Sequence, residues 1–208
     1  GYRILSSPVS GNVYGDLLEE LWTQGATGSD MPGANPNIWT YNNGWNTVTD
    51  LENDNLDLGQ GFVIYVFSDT DYDGDDDLPV TISVDGDINE SNIDIATNNS
   101  DWNLLGNPYG LALDVESLLI DNPNFSSTVY VWDNEITGYK THNGIVGDLD
   151  EGLISPFSGF WIEANQSGNS FLFNESSIEN SYGDTTRSTS TPSDSTGYGV
   201  ITFESEGY

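Results

Sequence analysis

The sequence predicts an all-β fold: an internally duplicated antiparallel β-sandwich or barrel with two short helices. Three observations predict it. Short runs rich in Val, Ile, Tyr, Phe and Trp recur along the chain and are bounded by Gly, Asn, Asp and Pro, the pattern of consecutive strands joined by turns. The helical patterns are too short for the repeated crossovers of a parallel sheet. The chain also echoes itself. "YRILSSPVSGNVYGDLLEELW" at 2–22 is matched by "WNLLGNPYGLALDVESLLID" at 102–121, with Tyr2 over Trp102, Leu5 over Leu105 and Pro8 over Pro108. "NIWTYNNG" at 37–44 is matched by "TVYVWDNE" at 128–135, and "GQGFVIYVF" at 59–67 by "FSGFWIEA" at 157–164, in the same order.

Each copy opens on an aromatic-led strand that stops at a proline, which cannot continue a central ladder. A helical pattern follows, with Asp16 as the expected cap for Leu17 to Trp22 and Asp114 for Val115 to Leu119. The apolar runs "IWTY" and "FVIYVF", then "VYVW" and "GFWIEA", are the next strands. "PVTISVDG" and "SFLFNE" complete the units. Half of such a fold would expose a sheet face, so one duplicated domain over 1–180 is expected, with repeats at about 1–97 and 98–180. Residues 181–197 change abruptly to a Ser/Thr-rich linker. "YGVITFESEGY" at 198–208 reads as an isolated strand or the start of a further β domain.

Composition limits the function. Three basic residues face 34 acidic ones, a net charge of -31 that repels phosphate backbones and excludes nucleic acid as a partner. The same self-repulsion calls for salt or a divalent cation and gives the surface a halophilic character. Cysteine is absent and His142 is the single histidine, which argues against disulfides, thiolate chemistry, zinc sites and nucleophilic triads. No apolar stretch approaches the roughly 18 residues that span a bilayer, so membrane insertion is not expected. The glycine at position 1 and the direct opening on a strand read as a processed product or an excised domain.

The blocks "YRILSSPVSGNVYGDLLEELWTQG", "DWNLLGNPYG" and "LISPFSGFWIEAN" together resemble a module of large secreted and cell-surface proteins in bacteria that use type IX secretion, where it usually precedes a C-terminal sorting domain. The resemblance covers about residues 1–175, with "GNPY" and "PFSGFW" its most specific parts. It implies an extracellular, non-catalytic β module whose partners are other domains or copies of a surface protein. No sorting domain is recognisable in the chain. "DTT" at 184–186 and "DST" at 194–196 look like the O-glycosylation sequons of such bacteria, which makes Thr185 and Ser195 the glycosylation candidates.

Two further candidate sites stand out. "DTDYDGDDD" places Asp69, Asp71, Asp73 and Asp75 at alternate positions, with Asp77 beyond, the spacing by which a loop wraps hard oxygen ligands around Ca2+. An EF-hand would need glutamate where Val80 stands and two flanking helices, so the loop resembles instead the Asp-rich calcium loops between strands of extracellular proteins. The bland reading is a solvated acidic hairpin. Trp45 in "NNGWNT" and Tyr139 in "TGYKTHNG" are loop aromatics that could stack on sugar rings; the remaining tryptophans are expected in the core. The leading expectation is a non-catalytic extracellular structural or adhesive module, calcium-stiffened. The rivals are a carbohydrate-binding module that holds a secreted enzyme on polysaccharide, and a subunit of a surface filament whose C-terminal strand pairs with a neighbour.

Overall fold

A computed structural model describes residues 1–97, 101–166, 169–179 and the strand at 198–203. The first half contains β1 (Tyr2–Leu5), β2 (Val9–Ser10), α1 (Tyr14–Leu18), β3 (Ile38–Tyr41), β4 (Trp45–Thr47), β5 (Phe62–Tyr65), β6 (Val80–Asp85), β7 (Asp87–Ile88) and β8 (Ile93–Ala96). The second half contains β9 (Trp102–Gly106), β10 (Ala112–Asp114), α2 (Val115–Asp121), β11 (Val129–Asp133), β12 (Gly138–His142), β13 (Leu153–Ile154), β14 (Gly159–Glu163), β15 (Ser170–Phe173), β16 (Ile178–Glu179) and β17 (Tyr198–Phe203). Pairing between these strands is antiparallel throughout, so the all-β class holds. Among the described residues no helix is long and apolar enough to cross a membrane.

Two four-stranded sheets organise the molecule, in the orders β1-β5-β3-β4 and β9-β14-β11-β12. The matched sequence blocks fall at the same places in both. Ile4 lies opposite Val63 as Leu104 lies opposite Trp161, Trp39 opposite Val63 as Tyr130 opposite Trp161, and Tyr41 opposite Trp45 as Trp132 opposite Tyr139. Among the smaller ladders, β2 pairs β7, while β10 pairs both β13 and β16.

Because side chains alternate across a strand, each sheet has two dissimilar faces. Leu5, Ile38, Phe62 and Ile64 face a core that includes Leu17 and Leu18 of α1. Leu105, Val129, Val131, Phe160 and Ile162 face a second core with Val115 and Leu118 of α2. Burying each such side chain contributes about 1.5–3 kcal/mol, which is how strands this short are held in place. The opposite faces carry Ile4, Val63, Leu104 and Trp161, which form a third cluster with Trp39, Tyr41, Tyr130 and Trp132 packed against it. The two sheets therefore meet through their aromatic faces.

Their backbones also meet. Single bridges join Leu5 to Ser158 and Gln60 to Leu105, and the Ser6 N–H donates to the Phe157 carbonyl at 2.9 Å. The repeated Gly-Phe dipeptide sits at this seam. A Cβ on Gly61 would collide with the Leu105 carbonyl, and one on Gly159 would lie 2.6 Å from Ile4 Cγ2. No larger residue fits at either position without moving the sheets apart.

Several expectations need correction. Asp16 does not cap α1; it lies in the first turn, where its Oδ2 accepts the Val13 N–H at 2.9 Å, and the helix ends before Trp22. Asp114 caps α2 as expected, accepting from the Ser117 N–H at 2.8 Å. Trp45 and Tyr139 belong to strands β4 and β12 rather than to loops. The segment at 198 is not isolated, because β17 pairs with β6. The linker at 181–197, with Thr185 and Ser195, lies outside the described residues.

Candidate functional site

The aromatic faces do not close completely on one another. They leave a cleft with two lobes, of about 480 and 390 Å³. The larger is lined by Tyr2, Ile4, Trp39, Val63 and Trp132, the smaller by Tyr41, Trp102, Tyr130 and Trp161, and Trp45 and Tyr139 line both. Strand register explains this sharing. Tyr2, Ile4, Trp39, Tyr41 and Val63 correspond to Trp102, Leu104, Tyr130, Trp132 and Trp161, while Trp45 corresponds to Tyr139. Exchanging each residue of the larger lobe for its counterpart gives the lining of the smaller one, with Leu104 added.

Ring geometry follows the same correspondence. Tyr41 and Trp45 meet edge to face at 5.4 Å and 78°, and Trp132 and Tyr139 at 5.1 Å and 78°. Trp45 also crosses between the sheets to meet Trp161 at 5.7 Å and 83°. The rings form walls at steep angles to one another rather than a flat platform. Trp45 is 56% exposed and Tyr139 46%, unusual for large rings beside an apolar surface. Of the tryptophans expected in the core, Trp161 is buried and Trp39 and Trp132 pack against its cluster, while Trp102 is exposed; all four also line the cleft. The signal that could have found them is the recurrence of aromatics at equivalent positions of both halves.

The polar groups of the cleft are few. The Trp132 indole N–H is buried and has no hydrogen-bond acceptor, a donor that costs free energy until one arrives. The Trp161 N–H approaches the Tyr139 hydroxyl without completing a hydrogen bond. Burial raises the Tyr139 phenol above its ordinary pKa, against a smaller opposing influence from Trp161, so the hydroxyl is neutral at pH 7. Behind the cleft, Lys140 lies 2.6 Å from the buried Asp133 carboxylate. Burial works against ionisation of Asp133, but the Lys140 ammonium and the Ile136 and Glu135 N–H groups outweigh it and hold the carboxyl below its ordinary value. This pair ties together the β11–β12 hairpin that carries Trp132 and Tyr139.

The acidic loop between β5 and β6 is organised by its own carboxylates. Asp69 accepts the Tyr72 and Gly74 N–H groups at 2.6 and 3.0 Å, and Asp77 accepts both the N–H and the hydroxyl of Thr70 at 2.6 and 3.1 Å. Tyr72 holds a left-handed φ of 64° and stacks on Trp22 at 5.1 Å and 20°. Oxygens of Asp69, Asp71 and Asp77 lie within 4.8 Å of one another. Ligands that share one Ca2+ at 2.3–2.6 Å are at most about 5 Å apart, so the three fit a common ion. Asp73 and Asp75 do not join this group; Asp73 caps the Asp75 N–H at 2.9 Å.

His142 is half-buried, and its Nδ1 accepts the Gly144 N–H at 3.0 Å in a turn packed against Gly152. Comparison with protein-family models, with curated proteins and with solved structures gives no significant match.

Proposed function

We propose that the chain is a non-catalytic binding module of a bacterial surface protein, extracellular and adhesive, whose ligand is a neutral polysaccharide seated in the aromatic cleft. The observation that carries this reading is the position of Trp45 and Tyr139, exposed on separate sheets yet lining the same two lobes. A sugar ring offers apolar C–H faces to aromatic walls and hydroxyl oxygens to an indole N–H without a partner, the combination that Trp132 and its neighbours supply. The net charge of -31 disfavours an anionic ligand. Steeply angled walls suit a ring inserted between them better than one laid across a platform. No carboxylate lines either lobe, which favours binding over the paired-acid chemistry of a glycosidase. A purely structural module would have no use for such an opening. The acidic loop supports calcium stiffening beside this role, through Asp69, Asp71 and Asp77.

Tryptophan fluorescence tests the reading, because five of the six tryptophans line the cleft. Titration with neutral gluco-, manno- and xylo-oligosaccharides is expected to give a saturable shift for at least one series. It should be lost in Trp132→Phe, which keeps the ring wall and removes the N–H. An unchanged spectrum across all series, or a response only to uronic-acid oligosaccharides, contradicts it.

A further inference from the structure

A further space of about 220 Å³ adjoins the smaller lobe of the cleft, and Tyr41 lines both. The spaces therefore run in series. The larger lobe meets the smaller at Trp45 and Tyr139, and the smaller meets this compartment at Tyr41. Their chemistry changes along the way. Aromatic and aliphatic side chains line the lobes, whereas Asn42, Asp57, Gln60 and Asn103 line the compartment.

Local structure fixes these polar residues. Asn42 directly follows β3, and its N–H donates to the Gly44 carbonyl at 3.0 Å. Asp57 and Gln60 share a turn closed by the Gln60 N–H on the Asp57 carbonyl at 3.2 Å, and a single bridge joins Gln60 to Leu105 at the seam between the sheets. Asn42 and Asp57 are exposed and Gln60 is half-buried. Among the described residues their side chains have no hydrogen-bond partner. The equivalent place at the other end of the cleft, beyond Trp132, is built differently. There Asp133 matches Asn42, Ser158 matches Gln60 and Arg3 matches Asn103. All three are buried, and Asp133 is engaged with Lys140. Packed side chains occupy that end of the cleft, while exposed polar ones continue this end.

We propose that the compartment is a third subsite for the same neutral polysaccharide, where Asn42, Asp57 and Gln60 hydrogen-bond the hydroxyls of the next sugar unit, a role that rests on the cleft being a glycan seat. Each lobe holds one indole N–H without an acceptor, Trp132 in the larger and Trp161 in the smaller, which suits two consecutive units. The compartment takes the third. An amide supplies both a donor and an acceptor, and a carboxylate accepts from two hydroxyls, a set that matches the neighbouring hydroxyls of a sugar ring. The Asp57 charge repels a uronate at the same place.

Calorimetric titration with di-, tri-, tetra- and hexasaccharides of the neutral gluco, manno and xylo series tests the subsite. In a series that binds, the trisaccharide is expected to bind about tenfold more tightly than the disaccharide, as one or two added hydrogen bonds would give. Asn42→Ala with Gln60→Ala should remove that gain while leaving disaccharide affinity and the melting temperature at wild-type values. Asp57→Asn, which keeps the shape and removes the charge, should remove part of it. Equal affinity of wild type for the disaccharide and the trisaccharide overturns the subsite and leaves the cleft reading standing, as does a gain that survives both variants. Failure of every series to bind overturns both.

Discussion

Trp45 and Tyr139 differ from the other aromatic side chains in serving both lobes, and each is held by a different device. Trp45 rests edge-on against Tyr41 and Trp161. Tyr139 depends on the β11–β12 hairpin, which the Asp133–Lys140 pair closes from behind. Because Asp133 titrates below its unfolded value of about 3.9, its contribution to stability is present above that pH and is lost as the pH falls through the folded-state value. Lys140→Met is therefore expected to destabilise by about 1–3 kcal/mol at pH 7, by leaving a buried carboxylate short of a partner, and by less at pH 3. Urea unfolding at both pH values measures this; an equal loss at the two would show that the pair is unimportant. Gly159 acts through what it lacks. Gly159→Ala should cost about 1–3 kcal/mol, because the added carbon meets Ile4 and the Leu5 and Leu105 carbonyls. Urea unfolding that gives wild-type stability would mean that the seam is looser than this geometry.

Among the elements, the acidic loop is the one expected to respond to calcium. Its carboxylates organise the backbone without a metal, yet Asp69, Asp71 and Asp77 converge tightly enough for one ion. Millimolar calcium is expected to raise the melting temperature at both 0.1 M and 2 M NaCl. Asp69→Asn with Asp71→Asn should abolish the rise, since asparagine keeps the turn acceptor and removes the charge. Asp73→Asn with Asp75→Asn should leave most of it. A rise with salt alone would make the loop an acidic turn and nothing more. The longer strands, such as "IWTY" and "VYVW", were legible in the sequence because their β-branched and aromatic residues have few other uses. The two-residue strands β2, β7, β13 and β16 were not, since tertiary pairing rather than local pattern defines them. Trp45 and Tyr139 were legible as candidates but not as strand residues. Asn43 and Gly44, both at positive φ, made the whole stretch read as turn.

For the molecule as a whole, the cleft could not be read from polarity. Strands such as "VYVW" show no alternation of polar and apolar residues, because one face meets a core and the other meets the opposing sheet. What alternates is aliphatic with aromatic, Val129 and Val131 against Tyr130 and Trp132. The same blocks recur in two places, and the two four-stranded sheets share one strand order and matched registers. The cleft lies where their aromatic faces meet, so its lobes correspond. Positive charge is scarce: Arg3 is buried, Lys140 is engaged with Asp133, and Arg187 lies outside the described residues. Affinity electrophoresis through native gels containing neutral polysaccharides (β-glucan, mannan or xylan) or anionic alginate tests the central claim most directly. Wild-type protein is expected to be retarded by at least one neutral polymer and not by alginate, and Trp45→Ala should run unretarded while melting at the wild-type temperature. Equal mobility of wild type in every gel, or retardation that survives Trp45→Ala, would contradict the claim that this cleft is the ligand seat.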